Sequence, residues 1–440
     1  MFDPIAYINE PRWQKVSLGL DRTRLLLDLI GRPQNQLRFV HVAGTNGKGS
    51  MCSVLASVLQ AAGYRTGLFT SPYLITFEER IRVDGANIAL DDLRDVTLVV
   101  RDAAAQVQEQ LGEHPTEFEL MTAVALLHFA RSRCDVVVLE VGLGGRLDST
   151  NVIESPEVCV IARMGLDHTA VLGTTLEQVA AEKAGIIKPG CPVVSWPQEE
   201  PAMAVVRQRC AELGCDLRIP DFAQLTVELV GQGVRPFAYG DFGPLELQLL
   251  GSYQPYNAAL ALEAVAALRE RGWDVPDDAV CAGVAATQWP GRFQVVAQEP
   301  VFVVDGGHNP QGAQALADSL TDVFPGRKPV LLMGVLADKD YLSMLRTVLP
   351  LADSLVAYTP PSPRALAAQD LVAAVQQVSC ELCSNDHDGS AITQCNAVPA
   401  CACASVPEAV QRARQLAGPE GLVVAFGSLY SIADIMAALG

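Results

Sequence analysis

The sequence predicts an α/β protein with two domains, each built on a largely parallel sheet covered by helices. Its 440 residues exceed what one hydrophobic core usually organises. Strand-like runs alternate along the chain with segments that have the helical spacing of apolar residues. Some runs, such as VVVL at 136–139, stay apolar without alternation, as parallel strands covered on both faces do. Together these observations indicate a doubly wound α/β arrangement.

The first domain is predicted over residues 1–288. Its strand-like segments are QLRFVHVA, RTGLFT, CDVVVLEVG, EVCVIARMG and CPVVSW. Two segments have clear helical periodicity: SMCSVLASVLQAAG, directly after the first strand, and NAALALEAVAALRERG, from Asn257 to Gly272. The order strand, helix, strand favours a parallel sheet in this domain.

A linker is predicted at residues 289–294, because Pro290 and Gly291 in TQWPGRFQ break any regular element. The alternation then restarts. PVFVVDGG, PVLLMGVL, DSLVAYTP and GLVVAFGS are strand-like, and PQGAQALADSLTDVF and VPEAVQRARQLAG are helical. A second, smaller α/β domain is therefore predicted over residues 295–440.

One segment of the second domain departs from this pattern. Residues at about 379–404 are polar, contain few aliphatic side chains and hold five of the 12 cysteines. We predict an inserted surface loop with reduced thiols. The alternative is a small zinc site formed by Cys380, Cys383, Cys401 and Cys403, although their spacing is irregular for such a site.

Composition narrows the class of protein. Half of the residues are hydrophobic and 19% are charged, as in folded proteins. The formal net charge is -18 and no basic stripe offsets it, which argues against nucleic acid or an anionic membrane as partner. The opening MFDPIAYINEPRW lacks the basic and apolar regions of a secretory signal, and no uncharged apolar run is long enough to span a bilayer. We therefore expect a cytoplasmic monomer.

The first chemical motif is AGTNGKGS at residues 43–50. It fails the strict phosphate-loop pattern, because Val42 replaces the first glycine and Gly49 separates Lys48 from Ser50. A strand nevertheless precedes it and a helix follows. Backbone N–H groups at a helix start attract anions, and Lys48 would add a positive charge while Ser50 caps the helix. The alternative is an ordinary strand–helix turn with a solvated lysine.

The second motif, LEVGLGGRLDSTN at residues 139–151, is not a dinucleotide-binding pattern, because Leu147 takes the place of its third glycine. Glu140 ends a buried apolar strand, where open α/β sheets place their ligands. A buried carboxylate is costly unless it is paired or bound to a metal. Glu140 is therefore a candidate Mg²⁺ ligand.

Three further positions are candidates. His168, in GLDHTAVLG, follows another strand and is a ligand or a structural histidine. Lys183, in AAEKAGIIKPG, indicates by itself only a helix-surface lysine paired with a glutamate. Asp305 and His308, in VVDGGHNPQG, follow a strand at the edge of the sheet where α/β proteins bind ligands. The alternative is a polar turn with a helix cap at Asn309.

Taken together, these motifs resemble the folate-handling branch of the Mur ligase superfamily, the dihydrofolate synthases and folylpolyglutamate synthases. The segments HVAGTNGKGS, TSPYLITFEERIRV, TEFELMTAVA, LEVGLGGRLDSTN, DHTAVLG, EKAGIIKPG, WPGRFQ, DGGHNP and GVLADKD occur in the family's order over nearly the whole chain. The resemblance implies an N-terminal P-loop-type ATP-binding domain of the Mur ligase type. It also implies a C-terminal Rossmann-like glutamate ligase domain. One difference is Tyr73, where the family commonly has histidine.

The resemblance implies an ATP-dependent ligase of folate biosynthesis and one-carbon metabolism. ATP would phosphorylate a carboxylate of dihydropteroate, or the γ-carboxylate of a reduced folate, and the amine of L-glutamate would attack the acyl phosphate. A carboxylate resists amines until its oxygen becomes a leaving group, and phosphoryl transfer needs nearby positive charge. The alternatives are a monofunctional folylpolyglutamate synthase, a murein-precursor ligase and a P-loop ATPase module.

The resemblance also assigns roles to individual positions. Those matching ATP contacts are Gly47, Lys48, Gly49, Ser50, Asn257, Arg292, Asp305 and His308. Those matching ligands of two Mg²⁺ ions are Ser71, Glu140, His168 and, as a carbamate, Lys183. Those matching pterin or folate contacts are Thr116, Glu117, Phe118, Glu119, Leu147, Asp148 and Ser149. The catalytic residues implied are Lys48, Glu140, His168 and Lys183.

Overall fold

The structure, a computed structural model, describes residues 2–14, 17–228, 233–385 and 397–440. The chain divides into two units; the second contains the chain from Trp289 onward and two earlier short stretches, around Arg235 and Leu250. The predicted first domain, residues 1–288, includes both of these stretches. None of the helices in the described part of the chain is both long and apolar enough to cross a bilayer.

The first unit contains an eight-stranded sheet in the order β4-β3-β2-β5-β1-β6-β7-β8. Its strands are β1 Phe39–Ala43, β2 Thr66–Phe69, β3 Ile81–Val83, β4 Ala86–Asn87, β5 Val136–Glu140, β6 Val158–Ile161, β7 Val193–Ser195 and β8 Leu217–Arg218. Strands β2, β5, β1, β6, β7 and β8 are parallel, and the pair β3 and β4 is antiparallel. Every residue of β1 and β5 is buried, so both faces of these strands are covered as predicted.

Ten helices of this part of the chain are α1 Pro4–Ile8, α2 Asp21–Leu29, α3 Lys48–Ala61, α4 Leu90–Leu111, α5 Glu117–Arg131, α6 Thr169–Leu172, α7 Leu176–Ala184, α8 Glu200–Leu213, α9 Gln254–Glu270 and α10 Asp277–Ala286. One apolar cluster joins α2, α4 and α5 to β1 and β5, and another joins α7 and α8 to β6 and β7. A small sheet, in the order β11-β10-β9, consists of β9 Leu225–Val227, β10 Arg235–Tyr239 and β11 Phe242–Leu247. Sequence analysis missed this sheet, because its short strands are only partly buried and give a weak apolar pattern.

The second unit has a six-stranded sheet in the order β12-β13-β17-β14-β15-β16. The strands are β12 Gln294–Gln298, β13 Val301–Val304, β14 Val330–Met333, β15 Ser354–Ala357, β16 Ala400–Ala402 and β17 Leu422–Phe426. All are parallel except β12, which pairs antiparallel with β13. The helices are α11 Pro310–Val323, α12 Tyr341–Val348, α13 Ala368–Asn385, α14 Val406–Ala417 and α15 Ile432–Leu439.

The prediction of a loop at 379–404 is wrong at both ends of the segment, which form a helix and a strand. Helix α13 includes Cys380 and Cys383, while Cys401 lies in β16 opposite Val356 of β15. A short edge strand made of alanine and cysteine carries little of the aliphatic signal that identifies buried strands, so the sequence pattern does not reveal it. Residues 386–396 of the segment lie outside the described residues. Among those described, no three His, Cys, Asp or Glu side chains converge on a common metal position.

Candidate active site

The phosphate-loop candidate connects the carboxyl end of β1 to the first turn of α3. Gly44 and Gly47 both have positive φ, at 156° and 84°. A Cβ on Gly44 would lie 2.7 Å from the Cβ of Ala162, and a Cβ on Gly47 would collide with the side-chain oxygen of Asn257. Glycine is required at both positions by backbone conformation and by space. Asn257, which the sequence assigns to the nucleotide, therefore lies directly against this loop.

The loop after β6 forms hydrogen bonds with the phosphate loop. The backbone N–H groups of Thr45 and Asn46 donate to the carbonyl oxygen of Arg163, at 2.9 and 3.0 Å. The hydroxyl of Thr45 donates to the carbonyl oxygen of Gly165 at 3.0 Å. These long-range bonds fix the loop in the conformation that begins α3, with the positive end of the helix dipole at the loop.

Three adjacent strands, β2, β5 and β1, bring Ser71, Glu140 and Lys48 together at one edge of the sheet. Lys48 Nζ lies 3.6 Å from Glu140 Oε1, and the Lys48 and Glu140 side chains are only 16% and 4% exposed. The backbone N–H of Ser71 donates to Glu140 Oε2 at 3.3 Å. The carboxylate at the end of β5 therefore lies against the lysine of the glycine loop. A lysine and a carboxylate held at this edge can act on phosphate charge and on a cation, respectively.

Lys183 is buried in α7 rather than on the helix surface that its own sequence segment indicates. Its Nζ donates to the carbonyl oxygen of Gly44, in the phosphate loop, at 2.9 Å. Burial, together with the charge of Lys48, lowers the pKa of Lys183 to about 7, although Asp167 and Asp148 act in the opposite direction. Near neutral pH this amine is therefore divided between its charged and neutral forms.

His168 lies on the exposed loop that precedes α6. Its φ is 50°, in the left-handed region that few non-glycine residues occupy. The N–H of His168 donates to the carboxylate of Asp167 at 2.8 Å. The charge of Asp167 acts to raise the pKa of Lys183, so the loop that carries Asp167 and His168 lies near Lys183.

The predicted pterin segment, Thr116 to Glu119, begins α5 with a capping box. The Glu119 carboxylate accepts a hydrogen bond from the N–H of Thr116 at 2.7 Å and another from Arg22 Nε at 3.0 Å. Glu119 is 2% exposed. Its carboxylate therefore serves to hold the start of this helix.

Glu117 and Phe118 are more accessible members of the same segment. Burial raises the pKa of the Glu117 carboxyl, which lies 3.7 Å from Arg80. Phe118 packs so closely on Gly142 that a Cβ there would collide with its ring. Arg80 also lies over the ring of Tyr73, 4.9 Å from its centroid. An aromatic and cationic surface thus surrounds the predicted pterin segment, and sequence analysis did not identify Arg80 as part of it.

The other predicted folate segment, 147–149, is organised by Asp148. Its carboxylate accepts the N–H of Leu143 at 2.9 Å and both the N–H and the hydroxyl of Thr150, at 3.0 and 2.5 Å. Thr150 also contacts His41 Nε2 at 2.9 Å. Leu147 is half-buried and Ser149 is buried. Sequence analysis missed His41 and Thr150, although a histidine inside the apolar strand FVHVA is an available signal.

In the second unit, Asp305 follows β13 and is 3% exposed. Its carboxylate accepts hydrogen bonds from the Tyr253 hydroxyl at 3.0 Å, the Phe293 N–H at 2.8 Å and the Gly307 N–H at 2.7 Å. His308 Nδ1 lies 2.9 Å from the carbonyl oxygen of Gly306. This carboxylate therefore joins the predicted linker to the strand–helix turn.

The same turn contains two further predicted features. Arg292 lies beside Gly306, with its Nη1 3.0 Å from where a Cβ would stand. Asn309 caps α11 by accepting the N–H of Gly312 at 2.8 Å, which confirms the predicted helix cap. Arg292, Asp305 and His308 thus cluster within the second unit, while the other predicted ATP residues cluster in the first. Their contact with nucleotide stays a prediction.

A glycine loop at a helix start, a lysine within it and a carboxylate ending the adjacent strand define a phosphate-binding site of the kind that nucleotide-dependent enzymes use. Residues 42–265 match the Mur ligase middle domain, and residues 291–429 match the Mur ligase glutamate ligase domain.

Relatives that match most of the chain identify the family within the Mur ligases more specifically. The chain is 39% identical over 377 residues to the folylpolyglutamate synthase of Lacticaseibacillus casei, covering 83% of this chain and 86% of that protein. It is 34% identical over 427 residues to the dihydrofolate synthase/folylpolyglutamate synthase of Bacillus subtilis, covering 96% and 94%. The chain therefore belongs to the dihydrofolate synthase and folylpolyglutamate synthase family of Mur ligases, as its motifs predict.

Solved structures agree with this assignment. Mycobacterium tuberculosis folylpolyglutamate synthase complexed with ADP and AMPPCP matches with a TM-score of 0.87 at 31% identity, covering 100% of this chain and 99% of that one. Escherichia coli FolC in complex with DHPP and ADP matches with a TM-score of 0.82 at 30% identity, covering 99% and 96%. The predicted fold class is confirmed.

Proposed function

We propose that this protein is an ATP-dependent ligase that adds L-glutamate to dihydropteroate and to the γ-carboxylate of reduced folates. The observation that carries the proposal is the phosphate loop itself, in which Lys48 lies 3.6 Å from Glu140 and Gly44 accepts a hydrogen bond from Lys183. Relatives with the same two Mur ligase domains are named for these activities, and one of them is solved with ADP and DHPP.

The residues of the site fit the two chemical steps. In the first, a carboxylate oxygen of the acceptor attacks the γ-phosphorus of ATP and ADP leaves. The backbone N–H groups at the start of α3 bind the phosphates, and Lys48 stabilises the charge on the transferring group. In the second, the amine of L-glutamate attacks the acyl carbon, phosphate leaves and the new amide nitrogen loses its proton. The catalysis asked of the protein is mainly positioning and charge stabilisation.

Mg²⁺ is the metal that this reaction implies, and the donor set fits it. Ser71, Glu140, His168 and a carbamylated Lys183 would hold two ions, because Mg²⁺ prefers oxygen ligands and Glu140 and Ser71 are already neighbours. When bound, Mg²⁺ neutralises phosphate charge and orients the transferring group. The unmodified lysine fits poorly, because a positive ammonium repels the cation.

Carbamylation of Lys183 is the second part of the proposal. The ammonium first loses a proton; the neutral amine then attacks CO₂, a C–N bond forms and a second proton is released, so that a cation becomes an anion. Because burial lowers the pKa of Lys183 to about 7, a substantial neutral fraction is present near pH 7. The neutral amine, and with it the carbamate, becomes more abundant as pH rises through this value.

Chemical rescue tests the carbamate. We expect Lys183→Ala to lose most ligase activity and a small added carboxylic acid to restore part of it, whereas Lys183→Glu places its carboxylate too close to the backbone. Crystals grown at neutral or higher pH should show extra atoms on the Lys183 amine. An active Lys183→Ala variant and a bare amine would refute carbamylation.

Product analysis tests the proposed activity. Wild-type protein with ATP, Mg²⁺, L-glutamate and dihydropteroate should yield ADP, phosphate and dihydrofolate, and with a reduced folate it should yield the γ-glutamyl product. Release of phosphate without a pterin product would indicate an ATPase module instead. Transfer to a murein precursor would indicate a different Mur ligase.

A monofunctional folylpolyglutamate synthase is the second candidate. It is favoured by Tyr73, which is 37% exposed over Arg80 beside the pterin segment and where the family commonly has histidine. The bifunctional proposal is supported by the segment TEFE at 116–119. Extension of reduced folates without any product from dihydropteroate would decide for the monofunctional enzyme.

A further inference from the structure

Among the described residues, the proposed chemistry gives no role to His41, a buried titratable residue of the first unit. His41 stands in the middle of β1, is 0% exposed and has apolar neighbours along the strand. Its Nε2 lies 2.9 Å from the hydroxyl oxygen of Thr150, which is itself fully buried. A polar pair inside an apolar core is costly unless its hydrogen bonds are well made, so its presence calls for a physical reason.

The directions of these hydrogen bonds follow from the groups available. Thr150 Oγ1 lies 2.5 Å from Asp148 Oδ1, and the same carboxylate accepts backbone N–H groups of Leu143 and Thr150. A carboxylate only accepts, so Thr150 donates its single hydrogen to Asp148 and accepts from His41. His41 is therefore the neutral tautomer with its hydrogen on Nε2.

Two further observations agree with this tautomer. Burial, assisted by the charge of Lys188, lowers the pKa of His41 to about 3, so the ring is neutral throughout the range in which an enzyme works. His41 Nδ1 has no hydrogen-bond partner within the described part of the chain, as an unprotonated nitrogen facing apolar neighbours would. The ring is thus a fixed donor and not a proton carrier.

The network connects two parts of the candidate site. Asp148 organises the loop that carries Leu147 and Ser149. Strand β1 continues from His41 to Ala43, and the next residue, Gly44, is the acceptor for Lys183. The loop is 109 residues from His41 in sequence, so only the fold brings them together.

We propose that His41 is a positioning residue for folate: through Thr150 it orients Asp148 and so fixes the loop 143–150 relative to the phosphate loop. The inference rests on the proposed function, because it takes this loop to contact the folate substrate. A loop that loses this support would present the folate in a wider range of positions, with little change for ATP, whose phosphates lie on the backbone of another loop.

Steady-state kinetics on matched variants test the proposal. Thr150→Val removes the hydroxyl at nearly constant shape, and Thr150→Ser keeps it. We expect Thr150→Val to raise KM for the folate substrate about tenfold or more and KM for ATP less than about twofold, with Thr150→Ser close to wild type. His41→Met should repeat the effect of Thr150→Val, and His41→Gln, which keeps a side-chain N–H donor, should recover part of the loss.

The double variant distinguishes positioning from general destabilisation. If His41 and Thr150 act through the same hydrogen-bond network, the double variant His41→Met with Thr150→Val should raise KM for folate no more than Thr150→Val alone. Equal changes in KM for ATP and for folate, or a folded Thr150→Val protein with unchanged KM for folate, would overturn the proposal. If Thr150→Val does not fold, the same comparison is made between His41→Met and His41→Gln.

A measurement without turnover separates this inference from the proposed function. In protein labelled with ¹⁵N-histidine, the ring nitrogens of His41 should report the neutral tautomer with hydrogen on Nε2 at pH 6–8, and Thr150→Val should shift them. A protonated ring, or hydrogen on Nδ1, would overturn the inference even if ligase activity is present. Absence of ligase activity in wild type would refute the proposed function while leaving this spectroscopic test in force.

Discussion

Two strand-end carboxylates, Glu140 in the first unit and Asp305 in the second, occupy the same topological position. Glu140 ends the wholly buried strand β5, Asp305 directly follows the wholly buried strand β13, and each is 3% exposed. Their partners differ. Glu140 contacts the Lys48 ammonium at 3.6 Å and the Ser71 N–H at 3.3 Å, whereas Asp305 accepts three hydrogen bonds of 2.7–3.0 Å.

The comparison indicates that a position at the end of a strand identifies a candidate site residue. The groups that contact its side chain then determine what that residue does. Glu140 contacts the charged Lys48 of the phosphate loop and the backbone N–H of Ser71, a metal-ligand candidate, and its carboxylate supplies the oxygen donors that Mg²⁺ prefers. The contacts of Asp305 are short, directional bonds to two backbone N–H groups and a hydroxyl, which build a turn. We therefore expect substitutions to alter catalysis at Glu140 and stability at Asp305.

The largest expected effect is at Lys48. Lys48→Ala should lower ligase activity by roughly 10²–10³-fold or more while leaving the fold intact, because the Lys48 ammonium acts on phosphate charge in the transition state. Activity is measured as ADP release coupled to glutamate addition, with thermal unfolding as the control. Activity within tenfold of wild type would exclude Lys48 from the mechanism.

Glu140→Gln sharpens the comparison. We expect activity to fall about 10²-fold, because an amide loses the negative charge that a cation needs. Thermal stability should change little, because the amide oxygen still accepts the Ser71 N–H and Lys48 is partly exposed. Raising the Mg²⁺ concentration should restore part of the activity. A large loss of stability with normal Mg²⁺ dependence would show that Glu140 is structural, like Asp305.

Asp305→Asn tests the other half of the comparison. The amide keeps one acceptor oxygen but directs its NH₂ toward a donor, so a buried N–H loses its partner. We expect the second unit to lose about 2–3 kcal/mol of unfolding free energy, measured by urea denaturation. Unfolding at the wild-type midpoint, together with a loss of ATP affinity, would instead place Asp305 on the nucleotide.

Tyr253→Phe should have the smallest effect. It removes one of the three donors to Asp305 and leaves both backbone donors, so we expect a loss of about 1–2 kcal/mol and activity within a few-fold of wild type. Burial and the nearby Asp305 charge raise the pKa of Tyr253 well above its ordinary value, so its hydroxyl donates at every working pH. If Tyr253→Phe destabilises more than Asp305→Asn, the carboxylate is not the centre of this turn.

Much of the fold could be predicted from the sequence, because the signals are local. The strands β1, β2, β5, β6, β7, β13, β14, β15 and β17 each lie inside a segment that was predicted from its apolar run. Elements with weak local signals were missed or misjudged. The edge strand β16 in the cysteine-rich segment derives its structure from pairing with β15, a distant segment. The small sheet of β9, β10 and β11 pairs between near neighbours, and its short, partly buried strands give a weak apolar pattern.

The sequence by itself determined the main strands and the glycine loop between β1 and α3, since these depend on residues within a few positions of each other. It also determined the family, because nine short motifs occur in the family's order along the chain. Only the tertiary structure decided which side chains meet. Lys183 contacts Gly44 across 139 residues and His41 contacts Thr150 across 109. Burial and the proximity of distant charges set the chemistry of Lys183 and His41, and neither quantity is a property of the local sequence.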